Sequence, residues 1–191
     1  MPRKKKSDIV PEVAPEVEPV AVADEPAPAD LSVDAGDVEL SRVVVFMLGD
    51  QQYAVPIDNV QEIQQIVEFT PVPDLSPALV GMLDVRGFVV PAIDLRLLLG
   101  MEKKEYHLDT PMVLLRCHGH LVALVVDEVE DVYEVPEGCM QAPSKLYAMA
   151  DRMIGICRLE IGLVVVLDPD RLVPDTMIMA VGAVEGMEAG A

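Results

Sequence analysis

The feature that most constrains the fold is an internal repeat. Residues 53–63, YAVPIDNVQEI, align without a gap with residues 122–132, VALVVDEVEDV, so that small, apolar and acidic positions coincide. Similarity over this length indicates two copies of one small structural unit. A second match lies further along the chain, where Val80-Gly81 aligns with Ile154-Gly155. In each copy an aspartate, Asp94 or Asp168, follows the glycine by thirteen residues.

Valine-rich runs of five to eight residues, separated by glycine turns, fill most of the chain after residue 42 and favour strands. They predict a mainly β fold, with two five-stranded β-barrel subdomains packed around a shared core and a few short helices. We expect strands at 43–48, 52–57, 85–93, 111–117 and 154–168. We expect extended chain at 58–63, 68–73 and 121–135. Helices are expected at 74–83, 95–99 (capped by Asp94), 144–153 and from Asp168 past Leu172.

The composition predicts three segments. Residues 1–41 are acidic and rich in Pro, Ala and Val, with no aromatic residue, which is typical of a disordered tail. Residues 42–174 hold the two intertwined barrels. Residues 175–191 form a C-terminal tail or a short helix.

The charge excludes several partners. A net charge of −19 opposes binding to nucleic acid and direct insertion into or binding to anionic membranes, so protein partners are expected. No apolar run reaches the length of a membrane helix, and no apolar core follows the basic N-terminus as in a secretory signal. Cys117, Cys139 and Cys157 lack metal-type spacing and are interpreted as reduced thiols of a cytoplasmic protein.

No catalytic arrangement is visible. His118 and His120 would point to one side of a strand and could hold a metal, but no third ligand is evident. The sequence therefore predicts no enzyme activity, no metal and no cofactor. A small hydrolase or metal protein that uses the histidine turn is kept as an alternative.

Two opposite charges stand at strand ends in apolar surroundings. Glu62 lies in VQEI and Arg86 begins RGFVVP. Each could simply reach water. A partly desolvated pair would instead restrain both side chains and orient the neighbouring surface, and arginine is a frequent anchor of protein interfaces.

Four segments in order, FMLGDQQYAVPIDNVQEI, TPVPDLSPALVGMLDVRGFVVPAIDLRLLLG, LVALVVDEVEDV and IGICRLEIGLVVVLD, closely resemble a CheW domain from about Val43 to about Val173. The resemblance implies two five-stranded barrels around a shared core. It also implies a non-catalytic adaptor that joins the regulatory domain of the histidine kinase CheA to the cytoplasmic tips of chemoreceptors, in arrays at the inner face of the membrane.

The resemblance also implies a binding surface. Val60, Glu62, Arg86 and Gly87 would lie in or beside the receptor- and kinase-facing region, Ile57 on the edge that meets a partner barrel, and Gly81 before Arg86, where it shapes the loop. Other CheW copies are further expected partners, in rings with the CheW-like kinase domain. An adaptor of another chemosensory pathway, for pili, gliding or gene regulation, is the alternative.

Overall fold

The structure is a computed structural model that describes residues 40–72, 76–144 and 149–179. These residues form eleven strands in two sheets, with short helices between them. The strands are β1 (Arg42–Leu48), β2 (Gln51–Pro56), β3 (Val60–Gln65), β4 (Leu79–Val85), β5 (Phe88–Asp94), β6 (Pro111–Cys117), β7 (His120–Val125), β8 (Glu128–Glu134), β9 (Met140–Gln141), β10 (Met153–Leu159) and β11 (Gly162–Leu167). The α-helices are α1 (Leu95–Leu98), α2 (Pro169–Leu172) and a further helical segment at 175–179, and single 3-10 turns cover Ile57–Asn59 and Ala150–Arg152.

The predicted fold class is confirmed. One sheet has the strand order β8-β1-β2-β11-β10-β9 and the other the order β3-β6-β7-β5-β4. Neighbouring strands are antiparallel except at the β2–β11 and β5–β7 contacts, which are parallel. The first sheet has six strands instead of the expected five, because the two-residue strand β9 pairs with β10.

The two repeats exchange their third strands. β2 lies in the first sheet, but the 3-10 turn at Ile57–Asn59 carries the chain across to β3, which pairs with β6 of the second sheet. In the same way β7 lies in the second sheet and is followed by β8, which pairs with β1 of the first. The repeat in the sequence therefore corresponds to two interlocked β units.

The core has three parts, which explains the continuous valine runs. In β1, Val43 and Val45 face a cluster inside the first sheet, while Val44 and Phe46 face a larger cluster between the two sheets. A third cluster fills the inside of the second sheet. A strand buried on both faces reads as an uninterrupted apolar run instead of an alternating one.

The repeated glycines permit a close backbone approach. A Cβ atom on Gly81 would lie 2.7 Å from the carbonyl oxygen of Thr70, and one on Gly155 would lie 2.6 Å from that of Gln141. Thr70 forms an isolated bridge with Met82 of β4. In the other repeat, Gln141 of β9 pairs with β10 in the same way. Each glycine thus lets an extra extended segment cover the edge of its sheet.

The repeated aspartates cap α1 and α2, and the cap predicted at Asp94 is confirmed. The Asp94 carboxylate accepts a hydrogen bond from the Leu97 amide at 3.1 Å, and the Asp168 carboxylate accepts one from the Asp170 amide at 3.1 Å. Asp94 is buried and also accepts the hydroxyl hydrogen of Tyr106. Burial, and then this bond, raise the pKa of Tyr106. The polar 100–110 connection is thereby attached to the second sheet.

Two helix predictions are wrong. The predicted helix at 74–83, of which 74–75 lie outside the described residues, is β4 from Leu79 onward, because its side chains are buried with the period of two typical of a strand. The second wrong prediction is the helix at 144–153, of which residues 145–148 lie outside the described residues. Residues 150–152 form a 3-10 turn, and Met153 already begins β10.

Three smaller boundaries also differ. The predicted extended segment 58–63 is interrupted by the 3-10 turn that moves the chain between the sheets. The predicted extended segment 121–135 is divided into β7 and β8, because the chain changes sheets there too. Helix α2 ends at Leu172 and does not run past it, because Val173 has an extended backbone (φ −102°, ψ 114°), the conformation favoured by a residue that precedes a proline.

The ends of the predicted domain are only partly described. Of the predicted tail 1–41, residues 1–39 lie outside the described residues, whereas Leu40 packs on a core cluster and the Ser41 carbonyl accepts a hydrogen bond from the Val135 amide at 3.0 Å. Residues 175–179 are helical, and 180–191 lie outside the described residues. No helix within the described ranges is long and apolar enough to cross a membrane.

The prediction of three reduced thiols is wrong. Cys139 and Cys157 form a disulfide, with their Cα atoms 5.4 Å apart, and Cys117 is free and buried. The bond depends on β9, which places Met140 opposite Cys157 and so brings Cys139 beside it. Burial raises the pKa of the Cys117 thiol to about 12, and the nearby carboxylates of Asp170 and Asp168 add to the effect.

The cysteines generate a labelling prediction. In protein purified without reductant, a thiol reagent should find no fast-reacting group in the native state and one thiol per chain in denaturant, because Cys117 is buried and protonated up to about pH 12. Cys117→Ser should remove that single thiol. Three reactive thiols in denaturant would contradict the disulfide.

The glycine contacts generate a stability prediction. Gly155→Ala should lower the free energy of unfolding by about 1–3 kcal/mol, because the new methyl group meets the Gln141 backbone carbonyl, which can move away only if β9 shifts from β10. Urea denaturation measures the change. Glu160→Ala, at an exposed position of the same hairpin, is the control. A Gly155→Ala midpoint equal to that of the wild type would show that β9 is not held as described.

Candidate functional site

An ion pair joins the two edges of the second sheet. The Arg86 Nη2 atom lies 2.7 Å from Glu62 Oε2. Glu62 belongs to β3 and Arg86 follows β4, and these are the first and last strands of that sheet. The expected contact between the two residues is therefore present, and it helps to close the sheet into a barrel. The Arg86 side chain is 76% exposed and that of Glu62 31%.

A tight turn positions Arg86. Val85 pairs with Phe88, so the hairpin loop has only two residues, Arg86 and Gly87, with φ angles of 55° and 84°. Positive φ at both positions defines a type I′ turn, in which the first position favours Gly, Asn or Asp. Asp84 stabilises it by accepting the Gly87 amide hydrogen at 2.7 Å. An arginine held in this uncommon conformation points to a use for its side chain.

An apolar groove of about 630 Å³ lies next to the pair. Phe88 and Val89, on the strand that leaves the turn, are 71% and 49% exposed, and Met179 on the opposite wall is 60% exposed. Arg116 and His120 add polar groups to the lining. The groove thus combines exposed apolar side chains with cationic groups, as protein interfaces do.

The other repeat provides an internal comparison. The two-residue turn between β10 and β11 consists of Glu160 and Ile161, at the positions that correspond to Arg86 and Gly87. Glu62 aligns with Asp131, so the second repeat carries acids at both positions. Two carboxylates cannot form an ion pair. The second repeat therefore adopts the same fold without this ion pair. The pair is not needed to form the fold, which favours a role in binding.

The six sequence-predicted site residues separate into three groups. Glu62 and Arg86 line the groove, and Gly87 completes the turn beside it. Ile57 and Val60 are partly buried and pack on the core between the sheets. Gly81 does not shape the loop before Arg86; it lies within β4 under Thr70. What these residues bind stays a prediction.

Several groove residues were not predicted. Phe88 and Val89 belong to a run that reads as a buried strand, but the end of the hairpin extends beyond the sheet and leaves both exposed. Arg116, Ile178 and Met179 come from distant parts of the chain. The one sequence signal was the arginine-glycine turn immediately before an aromatic residue.

Known proteins share this architecture. A family model described as CheW-like domain matches residues 42–177. The chemotaxis protein CheW of Helicobacter pylori is 29% identical over 133 residues, which cover 64% of this chain and 81% of that protein. The chemotaxis protein CheW of Bacillus subtilis is 32% identical over 96 residues, or 50% of this chain and 62% of that protein.

The fold itself is also found in a solved structure. The scaffolding protein TtCheW from Thermoanaerobacter tengcongensis superposes with a TM-score of 0.65 at 24% identity, over 69% of this chain and 91% of that one. Interlocked barrels with an exposed apolar groove define the class as a β-barrel module of the adaptor type. The family match covers most of the chain, so the protein belongs to the CheW family of chemotaxis adaptors.

Proposed function

We propose that this protein couples the cytoplasmic tips of chemoreceptors to the regulatory domain of the histidine kinase CheA, without catalysis of its own. The observation that supports this most is the Glu62–Arg86 pair at the rim of an exposed apolar groove. Family membership supports the adaptor role, and the relatives named above are chemotaxis proteins. The protein would act in the cytoplasm, held at the inner face of the membrane by its receptors.

The groove is suited to a protein partner. Burial of Phe88 and Val89 against a partner would be favourable by about 25 cal/mol for each Å² of apolar surface removed from water. Arg86 and Arg116 give the rim positive groups on a chain whose net charge is −19. A partner with an apolar stripe flanked by acidic residues complements that surface.

The six predicted residues have three different roles in this proposal. Glu62, Arg86 and Gly87 contact the receptor or the kinase directly. Ile57 and Val60 pack on the core and hold the start of β3, so they set the position of Glu62 at the interface. Gly81 acts further away, since it allows Thr70 to close the sheet that carries the hairpin.

Contacts with other copies of this protein, in rings with the kinase domain, extend the same proposal. An adaptor of a pathway for pili, gliding or gene regulation is the second candidate. The relatives carry chemotaxis names, which favours the first. Co-purification of the protein with its own receptor and kinase discriminates between the two pathways.

Arg86→Ala should reduce binding to receptor or kinase much more than it reduces stability. An exposed pair contributes less than about 1 kcal/mol to folding, whereas an interface anchor contributes about 2 kcal/mol or more to binding. Binding titrations and thermal melts measure the two effects. Arg158→Ala, which removes an exposed arginine from the other sheet, is the matched control. Wild-type binding by Arg86→Ala would exclude Arg86 from the interface.

A charge exchange separates two explanations of the pair. The double variant Glu62→Arg with Arg86→Glu retains an ion pair but reverses the charge of the turn. If the pair only orients the hairpin, the exchange should restore binding relative to the single variants. We expect no restoration, because the guanidinium itself faces the groove. Full recovery would assign Arg86 a positioning role.

A further inference from the structure

Three possible metal ligands meet at the end of β6. The Cys117 sulfur, a ring nitrogen of His118 and a carboxylate oxygen of Asp170 all lie within 4.8 Å of one another. The sequence pairs His118 with His120, but the structure places beside His118 the thiol of Cys117, the last residue of β6, and an acid on α2, far along the chain. None of the three ligands lines the groove.

His118 is held in place by its backbone and its ring. It occupies the first position of the two-residue turn between β6 and β7, with φ at 49°, and its amide donates a hydrogen bond to Asp170 Oδ1. The ring Nε2 lies 3.2 Å from the Val173 carbonyl, which can accept the Nε2 hydrogen. That tautomer leaves the Nδ1 lone pair for a metal, and a backbone carbonyl orients many metal-binding histidines in this way.

Cys117 supplies a sulfur ligand. Its Sγ atom is 2.9 Å from the Pro169 carbonyl, to which the thiol donates. On metal binding the S–H bond breaks, a bond from sulfur to the metal forms, and the proton leaves to solvent. A cation held by the thiolate would face His118 and Asp170, which are exposed and cover the buried cysteine.

We propose that Cys117, His118 and Asp170 bind a divalent transition-metal ion, with Zn²⁺ the best match. Thiolate, imidazole and carboxylate are the three ligand types of tetrahedral zinc sites, whereas Mg²⁺ and Ca²⁺ require oxygen ligands. Zinc bond lengths place such ligands about 3.5 Å apart. The ligand atoms lie within 4.8 Å of one another, so they need to approach each other by at most about 1.3 Å. A water molecule would fill the fourth position.

The site would connect two walls of the groove. The turn that contains His118 continues into Gly119 and His120, which line one wall. The chain that follows α2 leads to Ile178 and Met179 on another. A metal bound between β6 and α2 would hold these walls together, so its occupancy would alter partner affinity without any contact between metal and partner.

Cobalt binding tests the proposal. Untagged full-length protein, with the Cys139–Cys157 bond intact, is titrated with CoCl₂ alone. A saturable thiolate-to-cobalt charge-transfer band at one equivalent, displaced by ZnCl₂, is expected. Cys117→Ser should abolish the band, and Asp170→Asn, which keeps an acceptor for the His118 amide, should weaken binding by at least tenfold. Mutation of a residue that only orients a metal ligand already changes metal affinity by about 10- to 100-fold.

The histidine variants provide the matched comparison. His118→Asn should also weaken cobalt binding at least tenfold, and asparagine tolerates the positive φ, so the turn is retained. His120→Ala, two residues further in the same hairpin, should bind cobalt like the wild type. Circular dichroism confirms that each variant is folded. Absence of the charge-transfer band in the wild type, equal binding by His118→Asn, or loss of binding in His120→Ala would overturn the site.

Discussion

The exchange of third strands is the constraint on which the rest of the structure depends. Among the described residues, β3 pairs only with β6, and β8 only with β1, so neither repeat satisfies its own hydrogen bonds. Unpaired backbone groups in a buried sheet are costly. The two halves must therefore fold together, and the second sheet combines three strands of the first repeat with two of the second. This is why Glu62 and Arg86 come to lie on opposite edges of one barrel.

Comparison of the two repeats separates scaffold from site. Both copies keep what closes a barrel: a glycine under a passing carbonyl and an aspartate that caps a helix. They differ where the surface is used. Edge strand β8 carries four acids, which discourage edge-to-edge pairing with other chains. Its counterpart β3 carries only Glu62, and that acid is already paired with Arg86. Hence the edge strand of the first sheet is strongly acidic, whereas the corresponding edge of the second sheet carries the candidate site.

The sequence predicted what local patterns encode and missed what long-range pairing decides. The repeat, the hairpin around Arg86 and Gly87 and the cap at Asp94 all follow from short-range chemistry, and all are present. In 74–83, Pro77 suggested a helix start, although strand pairing to β5 determines the outcome. The disulfide, the groove wall near Met179 and the cluster at His118 join residues from distant parts of the chain, and no local signal marks them.

An adaptor must expose apolar surface and still remain in solution, and the hairpin reconciles these needs. Phe88 and Val89 are exposed, but they stand beside Arg86 on a chain with a strong net negative charge, which opposes self-association. The type I′ turn and the ion pair hold the hairpin in one conformation before any partner arrives. Association then loses less conformational entropy, so a small surface can bind more tightly than its area suggests. A rigid turn that presents the Arg86 guanidinium beside exposed apolar side chains is therefore what makes this edge of the barrel the candidate binding site.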